Sequence, residues 1–264
     1  INAYAERTGH KVTETAFGQS ALVHRPHGVM AVMGPFNFPG HLPNGHIVPA
    51  LLAGNTIVFK PSELAPATGE ALVRAMERAG LPAGVLNLVQ GGRDTGAALL
   101  DGDLDGVLFT GSATTGTFIH QKFGGRPEVM LALEMGGNNP LIAWDFSDVE
   151  AAADIAAQSA YLTSGQRCTC ARRLIVPEGK VGDDLVDAVI ARASGIKIGA
   201  WDEADVFMGS VVNAQSARNA VAFQEKLEQA GGKPLKKLEI LDKSDAFVSA
   251  GVIDMTDVSS PIDE

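Results

Sequence analysis

A carboxylate and a thiol, each in a short glycine-containing segment, are the groups of this chain best suited to covalent chemistry. Glu134 lies in the segment 133–140 (LEMGGNNP), and Cys168 lies in the segment 164–170 (SGQRCTC). A cysteine nucleophile forms an acyl thioester, and a carboxylate acting as general base activates the water that hydrolyses it. Because the two segments are far apart in the sequence, only tertiary folding brings them into one site.

Both residues also have a simpler interpretation. A free cysteine is most often a small buried apolar residue, and a carboxylate at the end of a strand often just turns towards solvent. Cys168, however, follows a polar, flexible stretch, and the neighbouring Arg167 favours the thiolate form electrostatically. Two glycines follow Glu134 closely and leave room for a ligand beside it. Cys170 has apolar neighbours, so we interpret it as a packing residue.

The elements that must position these residues follow a regular alternation. From about residue 55 onward, short apolar runs alternate with amphipathic stretches, which predicts a parallel sheet with helices on both faces. Strands are predicted at 56–59, 85–89, 106–109, 129–133, 140–144 and 173–176, and helices near 67–79, 94–100, from 112, 148–162, 183–194 and 214–230. Residues 11–25 are predicted to form a separate two-stranded ribbon, and the tail after 230 is weaker and polar.

Further polar residues lie in loops where a sheet of this kind binds its ligands, at the carboxyl ends of strands. Lys60 and Glu63 follow the strand at 56–59, where they either remain solvated or meet the ribose hydroxyls of a nucleotide. Ser112 is predicted to cap a helix, and the N–H groups of that helix terminus also suit a pyrophosphate. Asn37 lies between prolines, where its amide either caps a turn or donates to a developing oxyanion.

Composition argues against several classes of protein. The 264 residues are 45% hydrophobic and 20% charged, as in an ordinary soluble globular protein. The net charge of −10 argues against nucleic acid as a partner. Cys168 and Cys170 are too few for a disulfide framework or a four-ligand zinc site, so no metal is expected. The sequence shows no membrane-spanning run and no signal peptide, which leads us to expect no membrane partner and a cytoplasmic location.

Five motifs, in order along the chain, resemble the aldehyde dehydrogenase superfamily. They are PFNFP at 35–39, FKPSE at 59–63, FTGS at 109–112, EMGG at 134–137 and GQRC at 165–168. The resemblance implies an α/β fold, in which a doubly wound parallel-sheet NAD-binding domain is followed by part of an α/β catalytic domain. The implied boundaries are 1–26 for the end of an N-terminal helix and an oligomerisation ribbon, 27–133 for the NAD-binding domain and 134–264 for the catalytic domain.

The resemblance also implies catalytic roles. Cys168 is implied as the nucleophile and Glu134 as the general base. Asn37 and the backbone N–H of Cys168 are implied to form the oxyanion hole. The ribbon at 11–25 matches the intersubunit hairpin of the family, so the full-length protein is expected to be a homo-oligomer. Its small-molecule partner is implied to be an aldehyde, which the protein oxidises to an acid.

The cofactor implied by the resemblance is NAD. Lys60 and Glu63 are implied to hold its adenosine ribose, and a carboxylate such as Glu63 disfavours the 2′-phosphate of NADP. Ser112 is implied to bind the pyrophosphate, with Gly111 and Gly116 completing the cofactor site.

Three segments carry a narrower resemblance, to those family members that oxidise N-succinylglutamate 5-semialdehyde in bacterial arginine breakdown. They are GHLPNGH at 40–46, LALEMGGNNP at 131–140 and QRCTCARR at 166–173. That substrate has two carboxylates, and Arg167 is our candidate for one of the cations that bind them. We prefer it to Arg172 and Arg173, because a strand start often exposes its charges. An aldehyde dehydrogenase for a different aldehyde remains an alternative.

Two departures from the family pattern affect what this chain does. His46 stands where many members carry a lysine, which puts a proton-relay role there in doubt. The chain also ends where the family continues with a Glu-x-Phe-Gly-Pro segment, whose glutamate holds the nicotinamide ribose. We therefore expect this chain to be the central part of a longer protein, and a nucleotide-binding fragment without catalytic activity is the second alternative.

Overall fold

A computed structural model describes Glu6 and residues 11–259 of the chain. The chain divides into two compact units, Ile1–Met135 and Gly136–Glu264. Glu6 is helical, but the rest of the predicted N-terminal helix lies outside the described residues, as does the C-terminal end from 260 to 264. The three-part domain assignment from the sequence stays a prediction.

The ribbon predicted at 11–25 is present in a shorter form. Strands β1 (Lys11–Thr15) and β2 (Gly18–Leu22) pair antiparallel, with Lys11 opposite Leu22. Every residue of both strands is exposed, and Phe17 at the turn between them is fully exposed. A two-stranded ribbon without a packed face is marginally stable in water.

Five parallel strands form the central sheet of the first unit. They are β3 (Val29–Met33), β4 (Thr56–Lys60), β5 (Leu86–Leu88), β6 (Gly106–Gly111) and β7 (Met130–Met135), and their order across the sheet is β5-β4-β3-β6-β7. The connecting helices are α1 (His41–Leu52), α2 (Pro66–Arg78), α3 (Arg93–Leu100) and α4 (Ala113–Phe123). The strand order reverses between β3 and β6, which creates the switch point where open α/β sheets bind ligands.

Alternating side chains of the strands build one core on each face of this sheet. Met30 and Val32 of β3 pack with Ile47 of α1 and Val73 of α2 on one face. The intervening residues of β3 pack on the other face with α3 and α4, in a core of Ala31, Met33, Leu100, Val107, Ile119 and Phe123. A strand buried on both faces has a continuous run of apolar residues, whereas a half-exposed strand alternates apolar and polar residues. The strands of a doubly wound parallel sheet are of the first kind, because helices cover both faces. The predicted fold class is confirmed.

The sequence pattern missed the first strand and helix of this sheet, because it predicted the alternation only from about residue 55. Helix α1 contains Pro43 and Pro49, which usually argue against a helix. Pro43 lies in the first turn, where its missing N–H has no intrahelical acceptor, and it is fully buried. Tertiary packing of Pro43, Ile47 and Ala50 outweighs the local cost of the prolines.

The second unit contains a two-stranded parallel sheet and three long helices. Strands β8 (Asn139–Ile142) and β9 (Ala171–Ile175) pair with each other, and helices α5 (Val149–Tyr161) and α6 (Lys180–Gly195) pack together through Ala153, Ala156, Leu185 and Val189. Helix α7 (Ala214–Gln229) follows. The tail interpreted as weak contains an antiparallel pair, β10 (Lys233–Lys236) and β11 (Val252–Asp254). Within the described residues, none of the helices combines the length and the apolar character needed to cross a membrane.

Candidate functional site

Asn37 lies in the loop that follows β3, at the switch point of the sheet. The loop is bonded to the neighbouring strand, since the Gly34 N–H donates to the Lys60 carbonyl at 3.0 Å. The Asn37 side chain is half-buried, and its Oδ1 accepts from the Phe38 N–H at 3.1 Å. This bond joins adjacent residues and closes no turn, so the turn-capping interpretation of Asn37 stays a prediction. The same bond orients the amide so that Nδ2, the donor that an oxyanion requires, points away from the Phe38 N–H.

Lys60 and Glu63 form a close pair at the carboxyl end of β4. The Lys60 side chain is 7% exposed, and its Nζ donates to the Pro61 carbonyl at 3.0 Å. Nζ also lies 3.5 Å from Oε2 of the exposed Glu63. A Cβ at Gly96 of α3 would lie 3.6 Å from Lys60 Cε, an ordinary contact distance, so the helix packs beside the aliphatic stem of Lys60. The pair presents a cation and a carboxylate together, which suits sugar hydroxyls.

Ser112 caps helix α4, as predicted. Its Oγ accepts from the Thr115 N–H at 3.3 Å and donates to the Thr115 hydroxyl at 3.0 Å. The glycines on either side have a packing role, because a Cβ at Gly111 would lie 2.5 Å from the Phe109 ring and one at Gly116 would lie 2.5 Å from Met135 Sδ. The helix terminus is exposed at the carboxyl end of β6, where its N–H groups suit an anion.

Glu134 belongs to a row of polar side chains at the same edge of the sheet. It is exposed near the end of β7 and lies opposite Thr110 in the register of β6 and β7. The Thr110 hydroxyl in turn lies 3.2 Å from Nε2 of His46 on α1. Burial lowers the pKa of His46, and the negative charge of Glu134 raises it by a smaller amount. His46 is therefore a neutral imidazole at pH 7. Thr110 belongs to the FTGS motif, but a threonine at the end of a predicted strand carries no sequence signal of its contact with His46.

Cys168 lies in a tight turn at the start of the second unit's parallel sheet. The turn is closed by the Cys170 N–H, which donates to the Arg167 carbonyl at 3.3 Å. Cys168 is exposed, whereas Cys170 is 2% exposed and is buried as predicted. An exposed thiol in a polar turn is accessible to a substrate, whereas a buried thiol is not.

The side chain of Asn139, at the first position of β8, holds this turn. Its Nδ2 donates to the Cys168 carbonyl at 2.6 Å and to the Cys170 carbonyl at 3.0 Å. The segment before the turn is conformationally strained, because Thr163 and Ser164 have φ values of 60° and 55°. A strained non-glycine pair beside a candidate nucleophile is typical of a functional loop.

Arg167 is anchored within the same segment. Its Nε donates to the Thr163 hydroxyl at 3.0 Å, and the side chain is half-buried. The guanidinium thus has a defined position, on a residue three positions after Ser164. Among the residues that the structure describes, no group of three or more histidine, cysteine, aspartate or glutamate side chains is arranged to hold a metal ion.

A cavity of about 230 Å³ lies within the second unit, beneath the Cys170 end of the turn. Tyr161, Cys170 and Gly251 line part of it. The Tyr161 hydroxyl donates to the Gly251 carbonyl at 2.9 Å, and burial raises the Tyr161 pKa to about 12. Tyr161 therefore remains a protonated hydrogen-bond donor at physiological pH and stabilises this end of α5.

Comparison with known proteins gives consistent matches along the whole chain. The sequence profile of the aldehyde dehydrogenase family matches residues 1–264. N-succinylglutamate 5-semialdehyde dehydrogenase of Burkholderia mallei (strain SAVP1) is 54% identical over 266 aligned residues, which cover 100% of this chain and 55% of that protein. The protein of the same name from Caulobacter sp. (strain K31) is 53% identical over 266 aligned residues, with 100% and 54% covered.

A solved structure shows the same similarity in three dimensions. The crystal structure of Mycobacterium tuberculosis aldehyde dehydrogenase complexed with NAD+ matches with a TM-score of 0.86 at 27% sequence identity. The match covers 96% of this chain and 53% of that chain. The chain thus spans about half the length of the curated relatives it matches.

Proposed function

The chain belongs to the aldehyde dehydrogenase family, and from this premise we propose that the full-length protein oxidises an aldehyde to the acid with NAD. The observation that carries the proposal is the exposed thiol of Cys168. Three hydrogen bonds define the turn that carries it: one between backbone groups and two from the Asn139 side chain. Thiolate attack on the carbonyl carbon forms a thiohemiacetal, which is the first covalent intermediate of this reaction class.

The residues at the carboxyl ends of β4 and β6 fit NAD. The Lys60–Glu63 pair offers both a donor and an acceptor to the adenosine ribose, and the exposed N-terminus of α4 at Ser112 suits the pyrophosphate. The Glu63 carboxylate disfavours a 2′-phosphate at the ribose, so we propose NAD rather than NADP. NAD supplies the acceptor for the hydride that leaves the thiohemiacetal carbon.

The acylation half of the reaction uses hydrogen-bond donors and the thiol. We assign the oxyanion donors to Asn37 Nδ2 and to the backbone N–H of Cys168, because each is an N–H group that can donate to a developing oxyanion. Each donor stabilises the negative charge that develops on the aldehyde oxygen. Loss of the hydride leaves the acyl group bound to Cys168 as a thioester.

The deacylation half of the reaction needs a base, and we assign it to Glu134. The carboxylate is exposed at the edge of the sheet and takes a proton from the water that attacks the thioester carbon. The tetrahedral intermediate then expels the Cys168 thiolate and releases the acid. His46 and Thr110 form the row next to Glu134, and neutral His46 does not neutralise its charge.

The substrate that we propose is N-succinylglutamate 5-semialdehyde, which appears in the names of the relatives at 53% and 54% identity. This aldehyde carries two carboxylates, whereas the chain carries a net charge of −10, so the site needs local cations. Arg167, which is anchored next to Cys168, is our candidate for one of them. We also propose that the exposed ribbon of β1 and β2 mediates homo-oligomer formation in the cytoplasm.

The proposed function is tested by following NADH absorbance with the purified full-length protein. We expect turnover of the dianionic semialdehyde with NAD, and a kcat/KM at least about tenfold lower with NADP or with a neutral aliphatic aldehyde. Higher activity on the neutral aldehyde would assign the protein to a different substrate. Absence of NADH formation with every aldehyde, together with measurable NAD binding, would favour a nucleotide-binding role instead.

Replacement of Arg167 by alanine tests the substrate assignment. We expect kcat/KM for the dianionic semialdehyde to fall by about 10- to 100-fold, because a charge-assisted hydrogen bond to a carboxylate is lost. The kcat/KM for a neutral aldehyde should change much less. Arg172→Ala, which removes an exposed arginine of the same segment, is the matched control and should change neither value strongly. An equal effect of Arg167→Ala on both aldehydes would contradict a role in binding the carboxylates.

A further inference from the structure

We propose that Asn139 is a positioning residue for the nucleophile: its side-chain amide fixes the turn that carries Cys168 and thereby directs the Cys168 backbone N–H used in acylation. The inference rests on the proposed function, because it concerns the nucleophile assigned there. It adds a residue whose side chain touches the nucleophile's backbone rather than its thiol.

The hydrogen bonds of Asn139 use its whole donor capacity. An amide group has two N–H protons, and Nδ2 lies 2.6 Å from the Cys168 carbonyl and 3.0 Å from the Cys170 carbonyl. One side chain therefore holds two carbonyls of the same turn. Nδ2, and not Oδ1, must face the carbonyls of Cys168 and Cys170, because the amide oxygen has no proton to donate to a carbonyl oxygen.

The position of Asn139 in the sheet explains why it reaches the turn. Asn139 pairs with Ala171, the first residue of β9, and a register shift follows between Asn139 and Pro140. The backbone ladder between β8 and β9 begins at this pair. The side-chain bonds of Asn139 continue the connection beyond the ladder, to the residues directly before β9.

Two peptide planes flank the Cα of Cys168, and each is held by one partner. The Arg167 carbonyl accepts from the Cys170 N–H at 3.3 Å, which fixes the plane that also contains the Cys168 N–H. In a planar trans peptide the carbonyl and the N–H point in opposite directions, so this N–H points away from the turn. The following plane contains the Cys168 carbonyl, which Asn139 holds. Asn139 and the turn bond together define the backbone conformation at the nucleophile.

The segment before the turn does not supply this anchor by itself. Thr163 and Ser164 occupy the left-handed region, which costs about 1 kcal/mol or more per non-glycine residue. A strained segment relaxes unless its surroundings hold it. The Ser164 hydroxyl holds the strained pair by donating to the Gly209 carbonyl at 2.8 Å, and the Asn139 bonds hold the turn that follows.

The experiment compares two reactions of the same thiol in the full-length protein. Alkylation by iodoacetamide needs only the thiolate, whereas acylation by p-nitrophenyl acetate also needs stabilisation of an oxyanion. We expect Asn139→Ala to lower the acylation rate by about 10- to 100-fold, while the alkylation rate and the NAD affinity stay within about twofold. Asn139→Asp keeps the shape of the side chain but replaces the Nδ2 donor by oxygen, and should lose acylation as well.

Asn138→Ala is the matched control. Asn138 precedes Asn139, is also half-buried, and contributes its backbone carbonyl, not its side chain, to a bond with Arg173. We expect both rates to stay within about twofold of the unchanged protein. A parallel fall of alkylation and acylation in Asn139→Ala would mean a merely structural role and would overturn the inference, as would unchanged acylation. Retained acylation in Cys168→Ala would instead overturn the nucleophile assignment, so the two failures are distinguishable.

Discussion

Cys168→Ala in the full-length protein is expected to lower NADH formation by about 10⁴-fold or more, because no thiohemiacetal forms without the nucleophile. The pre-steady-state burst of NADH should disappear with it. NAD affinity, measured by titration, should stay nearly unchanged, since the substitution leaves the proposed cofactor residues Lys60, Glu63 and Ser112 intact.

Cys170→Ala is the control for this substitution, because Cys170 is the other thiol of the chain and is buried. It should retain the burst, although the protein loses some stability when a buried side chain is truncated. A Cys168→Ala protein that still oxidises aldehyde at more than a few per cent of the normal rate would refute the nucleophile assignment.

Glu134→Gln is expected to separate the two halves of the reaction. Acylation and hydride loss do not need the base, so one equivalent of NADH per site should still form in a burst. Steady-state turnover should then fall by about 10²- to 10⁴-fold, because no carboxylate activates the water that hydrolyses the thioester.

The matched control is Glu128→Gln, which removes an exposed carboxylate shortly before β7 that is paired with Arg126. It should leave both the burst and the steady state unchanged. Normal steady-state turnover in Glu134→Gln would exclude Glu134 as the base, whereas loss of the burst would mean that Glu134 acts before the thioester forms.

The parallel sheet could be predicted from the sequence because its strands are buried on both faces. Runs such as 56–59 and 106–109 are short, apolar and separated by amphipathic helices, and their length favours buried strands over helix segments. Helix α1 could not be predicted, because Pro43 and Pro49 argue locally against a helix that is stabilised only by tertiary packing.

The candidate residues could be predicted only as separate positions. Ser112 shows its capping role in the sequence, and the structure confirms it through the bond from the Thr115 N–H. Asn139 could not be predicted, because nothing in its local sequence indicates that its amide reaches carbonyls some thirty positions along the chain. The same holds for the bond between His46 and Thr110, which joins a helix to a strand. Long-range side-chain contacts of this kind depend on strand register, which composition and periodicity do not encode.

The mass of the Cys168 peptide after a single turnover tests the thioester mechanism most directly. Glu134→Gln protein is incubated with NAD and N-succinylglutamate 5-semialdehyde, quenched in acid, digested and analysed by mass spectrometry. We expect the peptide containing Cys168 to carry the added mass of the N-succinylglutamyl acyl group, in an amount equal to the NADH formed. An unmodified Cys168 peptide in the presence of stoichiometric NADH would contradict a thioester at this residue.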